Sequence, residues 1–186
     1  MDISFLPQGA GSFRTASGIT INVLDPKPEM IELNDIVRGL AYKAHFSGQI
    51  HKYFSIAEHC LLTERLTAIR YPEDRELRTV ALFHDAAEAY IGDMISPIKI
   101  LFPQFKEMEN KLLKIIFEKF GLPYDRLTEV KYFDVEAQNI EAIVFYKKED
   151  LPGYHYSRSM LRFDQPDEAA RRLSTAMQIS LTKLKQ

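Results

Sequence analysis

A chain of 186 residues suits one domain, and 46% hydrophobic residues give it ample material for a core. A formal net charge of -2 with no basic block argues against nucleic acid as the main ligand, and the single cysteine, Cys60, excludes an internal disulfide or a multi-cysteine zinc site and fits a reducing cytoplasm. The stretch Met1–Phe13 lacks the charged and apolar regions of a signal peptide, and no window approaches the roughly 18 uninterrupted apolar residues of a membrane span.

In chain order, Phe13-Arg14-Thr15 and Ile19-Thr20-Ile21-Asn22-Val23 flank Ala16-Ser17-Gly18, which predicts a short β-hairpin with Gly18 free to take a positive φ. Asp25-Pro26-Lys27-Pro28 stops any strand, and Asn34 or Asp35 is placed to cap a first helix running to about Ala44. The polar and aromatic run His45–Phe54 reads as a loop. Ser55 then caps a helix from Ile56 to about Arg70, with Glu58 completing a capping box. After the turn Tyr71-Pro72-Glu73-Asp74, a central helix is expected from about Glu76 to Gly92. Two more amphipathic helices follow, from Phe105 to Phe120 with the stop Gly121-Leu122-Pro123, and from about Arg126 to Tyr146. Residues 147–162 read as irregular, and a largely polar last helix, Pro166 to about Leu184, is expected on the outside. The sum is an all-α helical bundle of about six helices with a minor N-terminal β-hairpin, one domain over residues 1–186 with its core at about 35–145.

Three apolar stripes carry polar intrusions. Leu77, Val80, Ala81, His84, Glu88 and Ile91 fall at the spacing of one helical face, with Asp85 alongside. His59 shares a face with Ile56, Thr63 and Leu66, and Asp134 sits among Leu127, Val130, Ala137, Glu141 and Val144. One histidine in such a stripe is more often a satisfied core residue than a ligand, and Asp134 alone reads equally well as an ion-pair partner of Lys131. The coincidence of three intrusions shifts the balance, because an unpaired buried carboxylate costs several kcal/mol. Two imidazoles and two carboxylates, His59, His84, Asp85 and Asp134, suit a divalent ion such as Mn, Fe(II), Co, Ni, Mg or Zn.

The strings Ser55-Ile56-Ala57-Glu58-His59, His84-Asp85-Ala86-Ala87-Glu88-Ala89-Tyr90-Ile91-Gly92-Asp93 and Val130-Lys131-Tyr132-Phe133-Asp134 resemble the H…HD…D signature of the HD-domain metal-dependent phosphohydrolases. More closely, they are similar to the bacterial 5′-deoxynucleotidase (YfbR-like) branch and its phage relatives. The resemblance implies an HD-domain fold. It implies His59, His84, Asp85 and Asp134 as ligands of one divalent metal ion, and Glu88 and Asp93 as catalytic acidic residues that orient the attacking water or handle protons. Two-metal HD enzymes carry further histidines between the HD doublet and the last aspartate; this chain has none there, which favours a single ion. Relatives commonly place an arginine and an aromatic-x-Gly-His string before the first ligand histidine. Here that run is His45-Phe46-Ser47-Gly48-Gln49, so the phosphate contact is expected at His45, Gln49, His51 or Lys131, with Lys52 and Lys99 as further candidates. Tyr154 and Tyr156 are candidates to stack on a base. The resemblance also implies a nucleotide substrate, no membrane partner and a homo-oligomer, dimer or larger, which Phe102, Phe105 and Tyr132 would serve if exposed. Three functions remain open: a 5′-nucleotidase on deoxynucleoside monophosphates, a deoxynucleoside triphosphohydrolase of the dATP type, and a non-catalytic, metal-bound nucleotide-sensing module.

Overall fold

The computed structural model describes residues 9–146 and 148–185. Residues 1–8, most of the stretch read for a signal peptide, lie outside the described residues, as do Lys147 at the head of the expected irregular segment and Gln186.

Strand β1 (Ser12–Arg14) pairs antiparallel with β2 (Thr20–Asn22), with Phe13 opposite Ile21. Gly18 takes φ 87° at the turn, a conformation that costs a glycine nothing. Buried Ile21 roots the hairpin in the core. Helix α1 (Leu33–Tyr42) starts slightly before the expected caps, at Glu32, whose side chain makes no capping bond. Asp35 has other work: its carboxylate accepts from the Ser17 amide at 2.8 Å and the Ser17 hydroxyl at 2.6 Å, fastening the hairpin to α1.

Helix α2 (Ile56–Arg70) carries the expected capping box between Ser55 and Glu58, and its buried face includes Ile56, His59, Thr63 and Leu66. Helix α3 (Arg75–Phe83) is capped by Asp74, which accepts from the Leu77 amide at 2.9 Å. The expected helix to Gly92 is therefore two pieces. After Phe83 the chain tightens into i+3 bonds, Ala86 N to Phe83 O and Glu88 N to Asp85 O, each 2.9 Å, before the one-turn helix α4 (Glu88–Ile91) ends at Gly92. Backbone angles stay close to helical through this turn (His84 φ -59°, ψ -32°; Ala87 φ -62°, ψ -33°), which is why the apolar periodicity runs on across the break.

Short helix α5 (Ser96–Lys99) leads to α6 (Pro103–Phe120), which closes on Gly121 in the left-handed conformation, φ 66°. Helix α7 (Leu127–Phe145) follows a single 3-10 turn. Within the segment read as irregular there is a helix, α8 (Tyr154–Met160), which buries Ser157 and Met160; seven residues, all but Met160 polar or aromatic, are too few to show an amphipathic period. Helix α9 (Pro166–Leu184) matches its expected bounds and packs on α1 and α3 through the narrow stripe Ala169, Leu173, Met177.

Helices α2, α3 and α7 pack on one another and α1 lies against α2, α4 and α9. The α1–α4 contact is close because residue 39 is glycine: a Cβ there would sit 2.4 Å from the carbonyl oxygen of Ala89. Lys43, just past α1, donates to the carbonyls of Glu88 (2.9 Å) and Ala89 (2.5 Å), so α4 is held to α1 at its own backbone. No described helix is long and apolar enough to cross a membrane.

Candidate metal centre and active site

The three helices that form the centre of the bundle each deliver part of one polar cluster. His59 points inward from α2, His84 and Asp85 come from the turn after α3, and Asp134 comes from the middle of α7. Nε2 of His59 lies 3.2 Å from Nε2 of His84, 3.1 Å from Asp134 Oδ1 and 3.6 Å from Asp85 Oδ2. Nε2 of His84 lies 3.1 Å from Asp85 Oδ2 and 3.8 Å from Asp134 Oδ1. The four residues named from the sequence therefore converge on one point.

The second nitrogen of each ring settles its tautomer. His84 Nδ1 donates to the carbonyl of Ala81 at 2.8 Å, and His59 Nδ1 donates to Glu141 Oε1 at 2.8 Å. When both rings are neutral, as metal ligation requires, their Nε2 atoms present lone pairs to each other at 3.2 Å. Two lone pairs at that distance repel unless a proton or a cation stands between them, and two carboxylates on the same point favour a cation. The donor set fits a divalent ion.

Glu141 also joins the cluster, and the sequence reading passed over it as a candidate. It is fully buried two turns beyond Asp134 on α7. The signal was present, since it occupies the same apolar stripe as Asp134. Its second oxygen lies 3.3 Å from His45 Nε2, and His45 Nδ1 lies 3.0 Å from Asp93 Oδ2. His45 thus faces a carboxylate at each nitrogen, hydrogen-bonded at Nδ1 and only at ion-pair distance at Nε2, where a phosphate contact had been expected.

A cavity of about 970 Å³ opens beside the cluster, lined by His45, Phe46, Gln49, His84, Asp85, Glu88, Asp93, Lys99, Lys106, Lys131, Asp134 and Tyr146 among others. Glu88 and Asp93 both line it. Of the expected substrate contacts, Gln49, Lys99 and Lys131 line it with His45. His51 lies elsewhere: its Nδ1 bonds the carbonyl of Phe145 at 2.8 Å. Lys52 sits over the ring of Phe163. Tyr154 and Tyr156 are outside the cavity as well, Tyr156 lining a separate groove with Tyr71 and Tyr132. Of the aromatics considered for an interface, Phe102 and Tyr132 are exposed.

Comparison with known proteins identifies the family. The model of the family described as 5′-deoxynucleotidase YfbR-like matches residues 50–121. An uncharacterized protein of Rhodobacter capsulatus is 35% identical over 158 residues, which cover 83% of this chain and 80% of that protein. The uncharacterized protein YfdR of Escherichia coli is 39% identical over 105 residues, 56% of this chain and 56% of its own length. The chain belongs to the YfbR-like family.

Membership in the YfbR-like family carries the HD-type hydrolase class and a divalent metal ion with it. His59, His84, Asp85, Glu88 and Asp93 fall inside the matched span, whereas His45, Asp134 and Glu141 lie outside it. Burial pushes the imidazoles of His59 and His84 down, but the carboxylates around them (Glu141 and Asp134 at His59, Asp85 at His84) hold both well above the usual histidine range. Burial also opposes ionisation of Asp85 and Asp134, and the two histidines overcome it, leaving both below the usual carboxylate range. Glu88 behaves oppositely: burial first, then the charges of Asp85 and Asp93, keep its carboxyl well above the ordinary value. At His45, burial and the neighbouring His59 act downward, yet the carboxylates of Asp93 and Glu141 win and raise it to about 9.

Proposed function

We propose that this protein is a divalent-metal-dependent nucleotide phosphohydrolase that releases orthophosphate from deoxynucleoside 5′-monophosphates. The observation that carries the reading is the convergence of His59, His84, Asp85 and Asp134, with the last three at the wall of a cavity also lined by Glu88 and Asp93 and His59 buried behind them. When bound by these four residues, a divalent ion supplies Lewis-acid polarisation of a phosphoryl oxygen and lowers the pKa of an attacking water. The remaining work falls to the chain. Glu88, whose carboxyl is raised by burial and by the charges of Asp85 and Asp93, stands at the cavity wall where it can hold or pass a proton. Asp93, held by His45, presents a second carboxylate at the same wall, positioned to orient water.

Charge favours a monophosphate over a triphosphate. The lining contains six carboxyl groups, Asp85, Glu88, Asp93, Glu107, Glu109 and Asp134, against three lysines, with the raised Glu88 carboxyl adding least to the negative charge. Each of those lysines is already paired: Lys99 with Glu109 and Glu88, Lys106 with Glu109, Lys131 with Asp134. Such a wall repels a polyanion and tolerates a single phosphate best.

A release assay across deoxynucleoside mono- and triphosphates and ribonucleoside monophosphates, with Mn(II), Co(II) or Mg(II) and with chelator, tests the reading. Orthophosphate from the deoxynucleoside monophosphates is expected, lost in chelator and in Asp85→Ala. Tripolyphosphate from a triphosphate, with monophosphates inert, would replace this reading with the triphosphohydrolase one. Stoichiometric metal binding without any hydrolysis would leave a sensing module.

A further inference from the structure

We propose that His45 is a positioning residue: its buried ring joins the Asp93 carboxylate to the Glu141 carboxylate, so that the aim of Asp93 into the cavity and the orientation of the His59 ring are set together. Four side chains from four parts of the chain form one line. Asp93 Oδ2 lies 3.0 Å from His45 Nδ1, His45 Nε2 lies 3.3 Å from Glu141 Oε2, and Glu141 Oε1 lies 2.8 Å from His59 Nδ1. An imidazole has two nitrogens, and both of His45 face carboxylates: Nδ1 in a hydrogen bond with Asp93, and Nε2 at ion-pair distance from Glu141 Oε2 with no hydrogen bond between them. An incoming phosphate would have to displace a carboxylate to reach either one, so the ring is poorly placed as an anion clamp.

The local backbone is built to hold this ring. Phe46 and Ser47 take φ 54° and 51°, a conformation that L residues rarely adopt and that persists only where the surroundings over-determine it. The surroundings here are identifiable. The His45 amide bonds the Phe54 carbonyl at 2.8 Å, and the Gln49 amide bonds Phe46 O at 3.0 Å. The rings of Phe46 and His59 lie against the His45 imidazole at 4.4 and 4.6 Å between centroids. Ser47 Oγ makes a second contact with the same acidic residue, bonding the Asp93 carbonyl at 3.2 Å. Asp93 itself follows Gly92 at φ 88°, where α4 has already ended. Among the described residues, His45 is the hydrogen-bond partner of its carboxylate.

The function given to Asp93 rests on the hydrolase reading above; the link from His45 through Glu141 to His59 does not, and two measurements keep them apart. The first is a double-mutant cycle on the Mn(II)-loaded protein, with phosphate release from a deoxynucleoside monophosphate. His45→Ala is expected to lower kcat on the order of 100-fold with KM within about threefold, and to cost less than about threefold when Asp93 is already Asn. His45→Gln, which keeps one amide donor on the carboxylates, is expected to recover part of kcat and serves both measurements if the alanine variant does not fold. A rise in KM with kcat retained, or an undiminished loss in the Asp93→Asn background, would overturn the assignment. The second measurement needs no turnover. Mn(II) titration is expected to show His45→Ala binding on the order of 10-fold more weakly than wild type, with no further loss when added to Glu141→Gln. Losses that multiply, or an unchanged affinity in His45→Ala, would refute the link. If the wild-type protein hydrolyses no nucleotide, the hydrolase reading fails and the Mn(II) titration alone decides the role of His45.

Discussion

Asp134 and Glu141 grip the two nitrogens of one histidine. Seven residues apart on the buried face of α7, they place Oδ1 3.1 Å from Nε2 of His59 and Oε1 2.8 Å from its Nδ1. One helix thus contributes both the neighbour at the metal side of the ring and the acceptor behind it. An acceptor behind a ligand histidine fixes its tautomer and raises its basicity, and its loss typically costs about 10–100-fold in metal affinity. Glu141→Gln conserves shape and removes the charge. It is expected to weaken Mn(II) binding within that range, read by titration against wild type. An affinity equal to wild type would mean that His59 holds its orientation without Glu141.

Metal binding and pH are linked at the same rings. Despite their burial, the carboxylates around His59 and His84 hold both well above the ordinary histidine value in the metal-free protein. A group whose folded-state pKa is raised contributes stability that is complete below its unfolded value, about 6.5 for histidine, and is lost as pH climbs through the folded value. Glu88, raised by burial, and Glu58, raised by burial to about 7, act in the same direction from lower pH. The chelator-treated protein is therefore expected to lose Tm between pH 6 and pH 9. A bound cation takes the place of the imidazole protons, so saturating Mn(II) is expected to flatten the fall, and Mn(II) affinity is expected to rise with pH. Melting curves at several pH values with chelator and with Mn(II) provide the check; a metal-free Tm that rises with pH would contradict it.

The cluster was legible in the sequence because a buried helix face announces a misplaced charge. His59, His84 and Asp134 each interrupt an apolar stripe; the α2 stripe is buried as drawn, and so is that of α7 apart from half-buried Leu127. Glu141 interrupted the same stripe and was passed over, since nothing in one dimension shows that its partner is His59 on another helix. The break after Phe83 was hidden for a different reason: a turn of i+3 bonds with near-helical angles preserves the periodicity across it. His45 shows the limit most clearly. A histidine there can be read from the sequence, but whether its imidazole faces a phosphate or two carboxylates depends on Asp93 and Glu141, which lie 48 and 96 positions along the chain.

Gly39 sets how close α1 comes to the segment that carries Glu88. A Cβ at that position would lie 2.4 Å from Ala89 O and 2.8 Å from Ala89 Cα, backbone atoms that cannot rotate away. The two helices must separate to admit it, which strains the Lys43 bonds to the Glu88 and Ala89 carbonyls. Gly39 lies within α1, where alanine would otherwise be favoured by about 1 kcal/mol. Overpacking typically costs about 1–3 kcal/mol. Gly39→Ala is expected to destabilise the protein by about that amount in urea unfolding and to lower activity through displacement of Glu88, while leaving Mn(II) binding at His59 and Asp134 less affected. A stabilised variant would show that α4 yields without cost.

Lys131 offers a separation of substrate from metal. Its Nζ lies 2.6 Å from Asp134 Oδ2, on the carboxylate whose other oxygen faces His59 and also accepts from Gln138 at 2.7 Å. The lysine side chain is two-thirds exposed and reaches the cavity wall, so it neutralises part of Asp134 and offers a cation to an arriving anion. Removing it acts in opposite directions on the two ligands. Asp134 without its lysine is the more negative partner for a divalent ion, so Mn(II) affinity is expected to hold or tighten in Lys131→Ala. A phosphate loses a charge-assisted contact, and KM is expected to rise on the order of 10-fold with kcat within about threefold. Steady-state kinetics and Mn(II) titration on the same preparation read both effects. If kcat falls with KM unchanged, Lys131 acts at the transition state rather than in binding; if Mn(II) affinity falls, the lysine is holding Asp134 in place for the ion.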